Sequence, residues 1–200
     1  MLALRPAVVQ ALPEPSTAEA ARSQLDTLTV EPPHSMTGYS RDKFPHWVTI
    51  TGRCDTREVV LRRDGQDVVN DSDCRASSGN WYSPYDDKTL TLAAMVDIDH
   101  MVPLANAWRS GADTWDTAKR RQFANDLTNP QLIAVSASSN RAKGDQSPDQ
   151  WKPPRATYWC TYARAWTNIK QVYALSITPA EHDTLIEMLN TCTAETPPEE

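Results

Sequence analysis

Apolar residues recur at two different periods along this chain, and the change of period marks its elements. Trp159, Tyr162, Ala163, Trp166 and Ile169 fall on one helical face. After a turn near Ser176, Thr178-Pro179-Ala180-Glu181 is a capping box with proline at the first helical position, and Leu185, Ile186 and Leu189 extend an apolar face. These segments predict an antiparallel helix pair. Upstream the apolar stretches are shorter. Residues 46–50, 67–70 and 88–93 predict strands, with 79–85 a turn-rich connection between the last two. Residues 96–102 and 132–135 predict two further apolar strands. Asp55 opens a short helix through Val59, Val60 and Leu61, and Asp113 is the expected cap of a helix reaching about Asn125. Residues 138–144 read as one or two helical turns ending at Gly144, and 148–154 as loop. The fold class is α+β in a single domain.

The flanks differ in composition. Residues 1–37 are rich in Pro, Ala, Glu and Ser, with a short helix over 17–25, and read as a leader or N-terminal arm. The apolar start is interrupted by Arg5 and closed by Pro13 and Pro15, so it lacks the uninterrupted core of a secretory signal. The ordered core is expected to start near Tyr39, the domain to span 38–194, and the acidic end 195–200 to be disordered. No apolar run approaches the roughly 20 residues needed to cross a bilayer.

Four cysteines, Cys54, Cys74, Cys160 and Cys192, allow three pairings. The helix pair selects among them. Cys160 and Cys192 lie equally far before and after the turn at Ser176, so antiparallel helices bring their sulfurs together, and Cys54 is left with Cys74. No CxxC or CxH pair suggests a cysteine-bound metal. Two disulfides imply an oxidising compartment, hence a secreted protein.

A net charge of -6 argues against a dedicated sequence-specific DNA binder. Its distribution changes the picture. Residues 41–170 hold 18 of the 20 Lys and Arg but 16 of the 26 Asp and Glu, so the acidity belongs to the flanks and the middle has room for a local basic groove.

Two stretches carry chemistry. In Val96-Asp97-Ile98-Asp99-His100-Met101-Val102-Pro103 an apolar strand ends on Asp-His and is broken by proline. A carboxylate beside a neutral imidazole meets the needs of phosphodiester hydrolysis, a held cation and a base for water. An unperturbed imidazole titrates near pH 6.5, so the rate is expected to rise with pH through that value unless an adjacent cation displaces it. The second stretch starts at Asn129, passes through a short strand and reaches Ser139-Asn140-Arg141-Ala142-Lys143-Gly144-Asp145. It supplies Asn140 as a neutral oxygen ligand, with Lys143 one turn later to face the same phosphate. Mg²⁺ prefers oxygen donors and keeps several waters, so one Asp and one Asn suffice.

Together these residues resemble the HNH (ββα-metal, His-Me finger) endonuclease motif in the variant whose last metal ligand is Asn. Cys54-Asp55-Thr56-Arg57, Gly79-x-Trp81-x-Ser83-Pro84-Tyr85, Asp99-His100-x-Val102-Pro103-Leu104-x-Asn106-Ala107-Trp108 and Lys143-Gly144-Asp145 are similar to the small secreted HNH nucleases of actinobacteria and fungi. The resemblance implies His100 as general base, Asp99 and Asn140 as ligands of Mg²⁺ or Mn²⁺, and Asn129 as the residue that holds the motif's loop and the base. Asp97, on the same strand face as Asp99, is the rival ligand. Lys143, Arg141 and Arg57 are candidate phosphate contacts. For Arg57 the competing reading is an ion pair with Glu58. The zinc-finger cysteines that brace many HNH motifs are missing. The expected activity is endonucleolytic cleavage of DNA, with RNA as a further substrate, by a monomer. The alternatives are a metal-dependent phosphodiesterase acting on small molecules and a non-catalytic secreted binding module.

Overall fold

A computed structural model describes residues 12–193. The polar residue Thr17 caps helix α1 (Ala18–Leu25) by accepting from the Ala20 amide. A 3-10 turn over Arg41–Lys43 leads to β1 (Thr49–Thr51), which pairs with β2 (Cys54–Asp55), and Asp55 caps α2 (Thr56–Asp64). Three antiparallel strands follow, β3 (Gly65–Asn70), β4 (Ala76–Ser83) and β5 (Lys88–Leu92), with β4 in the middle. Then come β6 (Val96–His100), α3 (Leu104–Arg109), α4 (Thr117–Ala124), β7 (Leu132–Ser136) and α5 (Ala137–Lys143). The chain closes with the antiparallel pair α6 (Trp159–Tyr173) and α7 (Pro179–Leu189). The α+β class is as read from the sequence. The acidic end at 195–200 lies outside the described residues.

Four local expectations are corrected. Residues 79–85, read as a connection, belong mostly to β4. Ser, Gly and Asn there carry no strand propensity, but β4 pairs on both sides, and Trp81 anchors it by donating to the Leu61 carbonyl at 2.8 Å. The cap of α4 is Asp116, which accepts from the Lys119 amide at 2.7 Å; Asp113 sits in a 3-10 turn and holds His34 instead. The strand expected at 46–50 starts only at Thr49, because Trp47 takes a left-handed backbone with φ 56°. The ordered core starts well before Tyr39: Ala21 and Leu25 of α1 and Leu28 are buried, and α1 packs on α6 and α7.

Both expected disulfides are present, Cys54–Cys74 and Cys160–Cys192. The second ties the start of α6 to the residues after α7. Between the helices, Lys170 and Glu181 form a buried ion pair at 3.2 Å, and Trp166 donates to the same carboxylate.

The two-stranded β6–β7 ribbon stands between two apolar clusters. Its register sets Asp97 opposite Val135 and Asp99 opposite Ile133, so both carboxylates share a face with residues of the helical core. Ile98, Leu132 and Ala134 face the other cluster, under α2 and β4. Helix α5 follows β7 directly, and the site is built where this unit ends.

Candidate active site

The end of β6 is secured before any reactive group is placed. Met101 donates its amide to the Gln131 carbonyl, and the Gln131 side chain clamps Val102 from both sides, accepting from its amide at 3.1 Å and donating to its carbonyl at 2.9 Å. Ser136 caps α5, and Gly144 ends it with φ 56° and ψ -127°, a conformation open to glycine alone. Positions 140 and 143 therefore lie one turn apart on one side of α5, against β6.

Lys143 is wholly buried, so the expectation that it touches substrate phosphate is corrected. Its ammonium donates to Asp99 Oδ2 at 2.5 Å and to the carbonyls of His100 and Met101 at 2.8 and 2.9 Å. The rings of Tyr85, Tyr162 and Trp166 surround it at about 6 Å. Tyr85 donates to the same Asp99 oxygen at 2.6 Å. Burial pushes the Asp99 carboxyl up and the Lys143 ammonium down, each opposed by attraction to the other. With two donors on Oδ2, the oxygen left to act on a ligand is Oδ1.

His100 points the other way from Asp99, as alternation along β6 requires. Its Nε2 lies 2.9 Å from the Ala124 carbonyl at the end of α4. A carbonyl only accepts, so Nε2 carries the proton and Nδ1 keeps its lone pair. Trp47 stacks on the ring, with centroids 5.5 Å apart and planes 25° from parallel. Only 5 % of the residue is exposed. Burial pushes its pKa down to about 3, the Ala124 hydrogen bond opposes this, and the positive charge of Arg41 adds to it. The imidazole is thus neutral throughout the mildly acidic and neutral range. Of the two outcomes expected from the sequence, titration near 6.5 or displacement from it, the lowered value fits displacement, with burial as its main cause.

Asp99, His100, Asn140 and Arg141 line one cavity of about 310 Å³, with Tyr39, Arg41 and Asp145 on its walls. Asn140 directs Nδ2 at Asp97 Oδ2, 3.2 Å away. The opposite orientation would set two oxygens against each other, so Oδ1 is the atom left for a cation. Asp97 also lies 3.6 Å from Arg141 Nε, and 75 % of the Arg141 side chain is exposed. Asn129 stays outside this group. Its Nδ2 donates to Asp126 Oδ2, whose other oxygen holds the Thr128 and Asn129 amides, so it shapes the loop leading into β7. Arg57 is also elsewhere. It pairs with Glu58 at 2.7 Å and donates to the carbonyls of Ala93 and Val96.

Three residues of the site had no signal in the motif: Arg41 and Trp47 arrive from far upstream, and Gln131 acts through its side-chain amide. Tyr85 stands in the motif pattern, but its bond to Asp99 is not legible there. Among the described residues no cluster of three or more His, Cys, Asp or Glu is placed to hold a metal ion. The donor set fits a hard cation all the same: one carboxylate and one amide oxygen on one cavity, with room for water, as Mg²⁺ prefers.

The family model described as the C-terminal domain of GmrSD restriction endonucleases matches residues 56–188. A protein of Arthroderma benhamiae named "Uncharacterized secreted protein" is 59% identical over 187 residues, 94% of this chain and 92% of the relative. No solved structure matches the chain. None of its described helices is long and apolar enough to cross a membrane.

Proposed function

This chain belongs to the family of GmrSD restriction endonuclease C-terminal domains, and from that membership we propose that it is a secreted, metal-dependent endonuclease of the HNH type that hydrolyses DNA with little sequence specificity. The observation that carries this reading is His100, with its Nε2 bound to the Ala124 carbonyl and its Nδ1 unpaired among the described residues, on the same cavity as Asp99 and Asn140. Secretion is supported by the two disulfides and by the printed name of the relative.

His100 Nδ1 takes a proton from a water whose oxygen attacks phosphorus, and the Ala124 carbonyl steadies the imidazolium that forms through Nε2. Asp99 Oδ1 and Asn140 Oδ1 would hold Mg²⁺ or Mn²⁺. When bound, the ion supplies positive charge at the phosphate and favours departure of the leaving oxygen. Lys143 and Tyr85 hold the Asp99 carboxylate, and Asp97 holds Asn140, so both oxygens are aimed before substrate arrives. Arg141, exposed at the rim, is placed to contact a non-bridging phosphate oxygen. Contacts to phosphate alone carry no base identity, hence the low specificity. RNA, a small phosphodiester and no substrate at all are the competing readings.

Plasmid nicking, single-stranded DNA and RNA cleavage, and bis(p-nitrophenyl) phosphate hydrolysis, each with and without chelator, separate these. Chelator-sensitive nicking is expected. His100→Ala should lose about 10²- to 10⁴-fold in rate, the usual contribution of a positioned base, while remaining folded and binding Mn²⁺. Nicking by His100→Ala at the wild-type rate would overturn the assignment.

A further inference from the structure

Beside the catalytic cavity several cations gather on the surface. The 3-10 turn brings Arg41 and Lys43, and α4 brings Lys119, Arg120 and Arg121 with no acidic residue inside it. Arg120 staples the two together. Its Nε donates to the Lys43 carbonyl, and its Nη1 donates to the carbonyls of both Ala112 and Trp115. Lys43 and Arg120 both lie against the Trp108 ring, and Lys119 lies 4.3 Å from the centroid of Trp115. Asn125, just past α4, bonds Pro45 and Val48, which lays residues 44–48 along the helix.

The exposed cations here, Arg41, Lys43, Lys119 and Arg121, form no ion pair among the described residues. The nearby carboxylates are mostly engaged. Asp113 is bound to His34, Asp116 caps α4, Asp126 is buried under its loop and Asp145, on the cavity wall with Arg41, pairs with Arg109, which leaves Asp42. Exposed cations whose neighbouring acids are otherwise held make a surface complementary to a polyanion.

The strip is joined to the site at two points. Arg41 lines the catalytic cavity, and the last residue of α4, Ala124, accepts the hydrogen bond from His100. We propose that Arg41, Lys43, Lys119 and Arg121 form a phosphate-binding track on which the polynucleotide flanking the scissile bond lies. This deepens the nuclease reading and rests on it for the identity of the polyanion. It also explains how an acidic protein handles nucleic acid: the net charge of -6 is carried elsewhere.

The test is equilibrium binding, by fluorescence anisotropy in chelator, of a labelled DNA duplex and a labelled single strand over a range of salt. Each phosphate contact contributes about 0.9 to the slope of log affinity against log salt for duplex and about 0.7 for a single strand. The variant Lys43→Gln/Lys119→Gln/Arg121→Gln should bind at least roughly tenfold more weakly near 0.1 M salt, with a slope shallower by about 2 to 3. Arg121→Gln alone, at a side chain without a hydrogen-bond partner among the described residues, should lower the duplex slope by about 0.9 and serves if the triple variant does not fold. Lys152→Gln, remote and paired with Glu187, should change neither. Unchanged slope in the track variants, equal loss in Lys152→Gln, or displacement of DNA by polyglutamate at equal charge would each overturn the track. DNA binding with the expected slopes but no cleavage would leave the track standing and overturn the nuclease.

Discussion

Lys143 and Asp99 lie below 5 % exposure, where removing one partner of an ion pair strands the other charge. Lys143→Met should therefore destabilise the fold by about 3–5 kcal/mol. Tyr85→Phe removes one hydrogen bond to the same carboxylate and should cost about 2 kcal/mol. Urea denaturation ranks the two, and equal losses would mean that Asp99 is neutral in the folded protein. His34 works differently. It sits between Asp113 and Glu31, and the Asp113 hydrogen bond raises its pKa against a smaller effect of burial. A raised folded pKa gives stability that is complete below the unfolded value near 6.5 and is lost as pH rises through the folded value. The melting-temperature deficit of His34→Asn should thus be larger at about pH 5.5 than at about pH 8.5. A deficit that grows with pH would reverse the sign.

At the scale of elements, the short helices and strands depend on single polar or small residues. Asp116→Ala should cost about 1 kcal/mol by leaving the first turn of α4 uncapped, and faster amide exchange at Lys119 would localise the loss. The Ala124 carbonyl that holds His100 lies at the opposite, C-terminal end of the helix, so His100 should be little affected. Gly65, the first residue of β3, is constrained by approach instead of turn geometry. A Cβ there would lie 2.5 Å from Trp81 Nε1 and 2.9 Å from the Leu61 carbonyl, the two atoms whose hydrogen bond anchors β4. Gly65→Ala must displace that bond.

Across the whole molecule, residues far apart in sequence meet around one core. Arg22 of α1 donates to the Leu189 carbonyl, and Ile177 exchanges backbone bonds with Thr29 and Glu31. The segment ahead of Tyr39 is thus integrated with the C-terminal helix pair, and the chain should melt in one cooperative transition. The Cys160–Cys192 bridge closes a loop of 32 residues around that pair. Replacing both cysteines by Ser should lower stability by roughly 3–4 kcal/mol in the loop-entropy model. A reduced protein with unchanged urea midpoint would show that α6–α7 packing alone holds the hairpin closed.

Local chemistry determined what local chemistry can. The capping box at Thr178 and Glu181, the Asp55 cap, the apolar face of α6, the strand ending on Asp99-His100 and the glycine stop after Lys143 are set by neighbours within a few residues, and all were legible in the chain. The cysteine pairing was legible because a helix hairpin converts sequence distance into spatial distance. The tertiary structure alone decided the rest. β4 exists because two strands flank it, despite polar, flexible residues. Lys143 reads as a phosphate contact one turn from Asn140, yet tertiary packing buries it in an aromatic cage against Asp99. Only the fold brings Trp47, Arg41 and the Ala124 carbonyl to His100. The spacing of the motif could mark His100, but its tautomer and its neutral state depend on a hydrogen bond and a burial that no stretch of sequence contains.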